Sequence, residues 1–148
     1  MKALVIHGPN LNLQGIREPE IYGRETLDEI NEMISSEAKE LGVGVSFHQS
    51  AREGEIIELL HAGIDEGVDG ALINPGAYSH TSLAISDAIR SLPFPVVEVH
   101  LSNIHAREPH RRESVTASAA AGIVAGFGPI SYVAALKALH SIVEQRGS

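Results

Sequence analysis

Glu98 and His100 stand two residues apart in the run "EVHLS". On a strand that spacing puts both side chains on one face. A carboxylate there can bond an imidazole, fix its tautomer and favour its charged form. The pair is then a candidate general acid, although taken alone its plainer reading is an ion pair ending a strand. Arg17 and Tyr22 lie within "HGPNLNLQGIREPEIYG", residues 7–23. A guanidinium beside a phenol stabilises phenolate, so these two could supply a base near neutral pH. The plainer reading is a packed Tyr and a solvated Arg.

Further polar groups follow three of the apolar runs. Asn10 and Asn12 follow the first, and Asn74, Tyr78, Ser79 and His80 the third. Ser102, Asn103, His105, Arg107, His110, Arg111 and Arg112 follow the fourth.

Other chemistries find little support. There is no Cys, which excludes disulfides, thiolate metal sites and a Cys nucleophile. His100, His105 and His110 match no metal-ligand spacing, no HExxH occurs, and the Arg-rich surroundings suit an anion better than a cation. No P-loop or GxGxxG is present. Lys2, Lys39 and Lys137 fall at the start and on helices, away from where a Schiff-base lysine would be expected. A formal charge of −8 argues against nucleic acid as a partner. No apolar run approaches the ~20 residues of a membrane span. The start "MKALVIHGPN" reads as a strand rather than a signal peptide. The cytoplasm is the expected location.

The elements that must position these groups are legible. "ALVIH", 3–7, reads as a buried strand, followed by an irregular loop without helical period. Thr26 and Glu29 have capping-box spacing, and Leu27, Ile30, Ile34, Ala38 and Leu41 give the helix they open one apolar face before Gly42. Strands are expected at 43–49, at "GALINPG", at 94–102 and at "AGIVAGFG". Ser50 and Glu53 repeat the capping-box spacing before a second helix that runs to Gly67. "TSLAISDAIRSL" reads as the third helix. "ISYVAALKALHSIVEQ" reads as the last, with Val133, Leu136, Leu139, His140 and Val143 along its inner stripe.

Five alternating β/α units in 148 residues predict one α/β domain spanning 1–148. Continuous apolar strands predict a parallel sheet covered by helices on both faces, in the flavodoxin-like order 2-1-3-4-5. Ligands bind such sheets outside the strand C-terminal ends, so the polar groups above should meet in one pocket.

"GPNLNLQGIREPEIYG", "NPGAYSHTS" and "EVHLSNIHAREPHRR" together resemble the type II 3-dehydroquinate dehydratases, and the resemblance runs along nearly the whole chain in order and spacing. It implies a cofactor-free lyase that converts 3-dehydroquinate to 3-dehydroshikimate in the shikimate pathway, by anti elimination through an enolate. It implies Tyr22 as the base at C2, with Arg17 favouring its ionised form. Asn10 would hold the water at the enolate oxygen. His100, oriented by Glu98, would protonate the departing hydroxyl. Asn74 and the Leu101–Ser102 backbone would hold the substrate carboxylate and nearby groups, and His80 and Arg111 the ring hydroxyls. Asp87 on the third helix would reach a neighbouring subunit's site in a homododecamer, a tetramer of trimers. Residues 14–23 would form a lid, with Gly8, Gly15 and Gly23 as flexible points. Gln14 and His110 fall at positions expected to vary.

Two rivals remain at this point: a non-catalytic flavodoxin-like module that binds a small anion, and a flavin protein of the same fold.

Overall fold

The computed structural model describes residues 1–147. Its elements run β1 (Lys2–His7), the one-turn helix α1 (Pro19–Tyr22), α2 (Leu27–Leu41), β2 (Gly44–Gln49), α3 (Glu53–Asp65), β3 (Gly70–Asn74), α4 (Leu83–Arg90), β4 (Val96–His100), β5 (Gly122–Ala125) and α5 (Ile130–Arg146). Short 3-10 turns lie between them, at Leu11–Leu13, Gly76–His80, Ile104–Ala106, Pro109–Arg111 and Ala117–Ala119. The five strands form one parallel sheet in the order β2-β1-β3-β4-β5, as the alternation of apolar runs and amphipathic helices predicts.

Strand alternation divides the core in two. Ala3, Val5, Leu72, Val97 and Val99 face α2 and α5, where Ile30, Ile34, Leu136 and Leu139 are fully buried. Leu4, Ile6, Ala71, Ile73 and Val96 face α3 and α4, against Ile56, Leu60, Ile85 and Ile89. Each such aliphatic side chain contributes about 1.5–3 kcal/mol on leaving water, which suits a chain with few aromatics. The same alternation sorts the polar strand ends. His7 and Asn74, register partners on β1 and β3, share the α2/α5 side. Glu98, opposite Ile73, and His100 share the other.

The capping box of α2 forms as its spacing predicts. Thr26 Oγ1 accepts from the Glu29 amide at 3.2 Å, and Glu29 Oε1 accepts from the Thr26 amide at 3.4 Å. The equivalent expectation for α3 fails. Ser50 sits two residues before the Arg52 N-cap and accepts from the Arg52 amide instead, at 3.0 Å. Glu53 is turned away to accept from Ser82 Oγ at 2.6 Å, tying α3 to the N-cap of α4. That tertiary bond wins over the local box.

Two further expectations need correction. The inner stripe of α5 is Tyr132, Ala135, Leu136 and Leu139, with Val133 and His140 only half-buried at its edge. A polar Tyr fills the sheet-facing position because its hydroxyl finds partners among the strand ends. The loop after β1 is also less irregular than its sequence. It holds a 3-10 turn and α1, whose Pro19 start has the φ a helix needs.

Candidate active site

The chain after β1 must cross the end of β3 closely. The Gly8 amide donates to the Asn74 carbonyl at 2.7 Å, and a Cβ on Gly8 would come within 2.7 Å of that oxygen. Only glycine allows this approach. It brings the β1 loop over the ends of β3 and β4 and encloses a cleft of about 560 Å³, part of it open to solvent.

Asn10, Arg17, Tyr22, Asn74, His80, His100, Leu101, Ser102 and Arg111 all line this cleft. Glu98 lies beneath it, fully buried. Asp87 does not join them: it is exposed on α4 and faces Arg90 at 3.8 Å.

Tyr22 ends α1, so one helical turn fixes where its ring stands. Arg17 Nη2 donates to its oxygen at 3.3 Å, with the guanidinium carbon 4.6 Å from the ring centroid. Arg107 Nη1 donates to the same oxygen at 2.7 Å, with its guanidinium 5.1 Å from the ring. Two cations therefore stabilise negative charge at one phenol oxygen. Arg107 stands among the basic residues of its segment with no role that its sequence position assigns. Spacing alone does not separate it from Arg111 and Arg112. The 3-10 turns at Ile104–Ala106 and Pro109–Arg111 do, and Arg112 Nε donates to the Arg107 carbonyl at 2.6 Å. Gln14, buried, donates to the Tyr22 carbonyl at 2.6 Å and anchors the backbone under the phenol.

The backbone of this loop is unusual. Asn10 at φ 70° and Glu18 at φ 39° are the non-glycine residues with positive φ among the described residues. Asn tolerates that region because its short polar side chain bonds locally. Such strain gathers where a site dictates the backbone path.

His100 Nε2 donates to Glu98 Oε2 at 2.8 Å, so Nδ1 is the nitrogen available to a ligand. Glu98 is 0% exposed and needs further donors to hold charge there. Ser114 Oγ donates to Oε2 at 2.6 Å, and Thr116 Oγ1 donates a short bond to Oε1. These hydroxyls carry no sequence signal, since they arrive from a loop 16 and 18 residues downstream. His80 gives its Nδ1 hydrogen to the Glu113 carbonyl at 2.7 Å, leaving Nε2 for a ligand. Arg111 is held by Glu108 at 2.7 Å.

The cleft thus carries Arg17, Arg107 and Arg111 and no carboxylate among its lining residues, in a chain of net charge −8. It suits an oxygen-rich anion. Among the described residues no group of three or more His, Asp or Glu side chains is placed to hold a metal ion.

The "Dehydroquinase class II" family model matches residues 1–140. The chain is similar to the 3-dehydroquinate dehydratase of Caldicellulosiruptor saccharolyticus, 53% identical over 96% of this chain and 98% of that protein. It is also similar to the 3-dehydroquinate dehydratase of Thermus thermophilus, 53% identical over 97% of each chain. Among solved structures, the type II dehydroquinase from Butyrivibrio crossotus superposes with a TM-score of 0.92 at 44% identity, over 94% of this chain and 97% of that one. On these grounds the chain belongs to the class II dehydroquinase family.

Proposed function

We infer that this chain is a 3-dehydroquinate dehydratase that releases water from 3-dehydroquinate to give 3-dehydroshikimate, a step of the shikimate pathway and of aromatic amino acid biosynthesis. The hydrogen next to a ketone is weakly acidic and hydroxide is a poor leaving group. The site must therefore supply a strong base, an enolate stabiliser and an acid. One observation carries the reading: a phenol oxygen bonded by two guanidiniums shares its cleft with an imidazole backed by a buried carboxylate.

In the elimination we propose, Tyr22 as phenolate takes the C2 proton, and electron density moves onto the ketone oxygen as an enolate. Asn10 holds a water at that oxygen. The enolate then expels the C1 hydroxyl, which takes a proton from His100 and leaves as water. Glu98 keeps His100 oriented and supports its positive charge. Arg17 and Arg107 stabilise the Tyr22 oxygen before proton transfer. Asn74, His80, Leu101, Ser102 and Arg111 hold the carboxylate and hydroxyls. Base and acid come from different strand ends, which suits removal of the two groups from opposite ring faces.

We further propose one catalytic domain over 1–148 with a lid at about 14–23. Gly15 at φ +92° and Gly23 at φ +93° bracket it and give it turning points that other residues rarely adopt. A homododecamer built as a tetramer of trimers is the proposed assembly. Its support here is the exposure of Phe127 at 69% and Ile130 at 52%, and of Asp87 on α4, open to a neighbour. A cytoplasmic location is proposed; no helix among the described residues is long and apolar enough to cross a membrane.

The test is the absorbance of the conjugated enone on adding 3-dehydroquinate. Turnover that survives chelator, and borohydride in the presence of substrate, is expected. Binding without product would instead mean an anion-binding module, and loss of activity with borohydride an imine mechanism.

A further inference from the structure

Among the described residues the proposed chemistry leaves two buried titratable side chains unused, His7 and Tyr132. His7 ends β1 at 1% exposure. Its Nε2 lies 2.7 Å from Asn31 Oδ1 on α2, and its Nδ1 lies 3.0 Å from Tyr132 Oη on α5. The same phenol oxygen accepts from Asn74 Nδ2 at 3.1 Å. Asn74 Oδ1 in turn accepts the Gly76 amide hydrogen at 3.1 Å.

The hydrogens in this chain of bonds are fixed from one end. A backbone amide can only donate, so the Asn74 oxygen must face Gly76 and its nitrogen Tyr132. Tyr132 Oη then receives a hydrogen from Asn74 and must give its own away. Its other contact is His7 Nδ1, which therefore carries no proton. His7 is the Nε2–H tautomer and donates to Asn31. Each donor meets an acceptor, in one direction only. A proton on Nδ1 would leave the hydroxyl hydrogen of Tyr132, a residue 0% exposed, without an acceptor. Burial holds His7 well below the ordinary His range, at about 4, in keeping with a neutral ring.

Asn74 lines the cleft, and its amide nitrogen carries a second hydrogen that this chain of bonds does not use. We propose that Tyr132 and His7 are positioning residues that lock the Asn74 amide, so that it offers the cleft an N–H donor and withholds its oxygen. The group it meets is then an acceptor oxygen of the substrate, a carboxylate or carbonyl rather than the hydrogen of a hydroxyl. This rests on the cleft being the catalytic site.

A double-mutant cycle with Tyr132→Phe and Asn74→Ala tests it, reading kcat and KM for 3-dehydroquinate separately. Tyr132→Phe should raise KM by about tenfold, the loss of one hydrogen bond, and change kcat less. Added to Asn74→Ala, it should change KM by no more than about twofold, because its effect passes through Asn74. Effects that multiply across the cycle overturn the proposal. An inactive wild-type chain would instead strike the functional reading. A readout independent of variant folding is the nitrogen-15 spectrum of His7 in the wild-type protein at neutral pH. A protonated Nε2 with a bare Nδ1 is expected, and a protonated Nδ1 contradicts the proposed lock.

Discussion

Single residues decide the chemistry here, and some are easier to read than others. Glu98 and His100 are legible because a two-residue spacing on a strand fixes a shared face. Their 2.8 Å bond follows from backbone geometry. Arg107 is not, because its direction depends on turns that no spacing rule fixes. Its 2.7 Å bond to the Tyr22 oxygen is shorter than that of Arg17, at 3.3 Å. Replacing Arg107 with Met should therefore lower kcat by roughly 10²-fold, because it removes a cationic donor that stabilises the phenolate base before proton transfer. Steady-state kinetics check this, and an unchanged kcat would remove Arg107 from the account. His7 carries a different consequence. Its folded pKa of about 4 lies below the unfolded value of 6.5, so between these values the unfolded chain binds more protons. Stability is then unaffected by His7 above pH 6.5 and falls as pH drops from 6.5 towards 4. The loss reaches roughly 3 kcal/mol. Denaturant melts across that window check it, and a His7→Gln variant should show a shallower decline.

At the scale of elements, periodicity locates the strands and main helices because burial on one face imposes it. It fails where one element is decided by another. The Ser50–Glu53 box is lost to the bond from Ser82 to Glu53, and the sheet-facing position of α5 goes to Tyr132 because its hydroxyl joins His7 to Asn74. The loop after β1 shows no helical period because α1 is a single turn, too short to display one. Yet that turn aims the phenol, and Gln14 pins its end. If residues 14–23 close over substrate, saturating 3-dehydroquinate or a non-reacting analogue should slow proteolysis within that segment several-fold. Cleavage at the same rate with and without ligand would rule out the lid.

At the scale of the molecule, the 2-1-3-4-5 order is legible because alternating buried strands and amphipathic helices admit few other arrangements. The proposed assembly is not, since one chain's pattern does not say which exposed apolar groups a second copy would cover. Phe127 and Ile130 follow the edge strand β5 and stand open. Light scattering on the wild type should give a mass near twelve chains, and Phe127→Asp should yield smaller species. A monomer at working concentration would refute the assembly. The proposed elimination is also a property of the whole fold, since its proposed base and acid come from separate β/α units held together through the sheet. Its most direct test compares the wild-type chain with Tyr22→Phe in the enone assay, with binding followed by calorimetry. The account predicts product from the wild type and a kcat at least ~10²-fold lower in the variant, with dehydroquinate affinity largely kept; near-native turnover by Tyr22→Phe would contradict it.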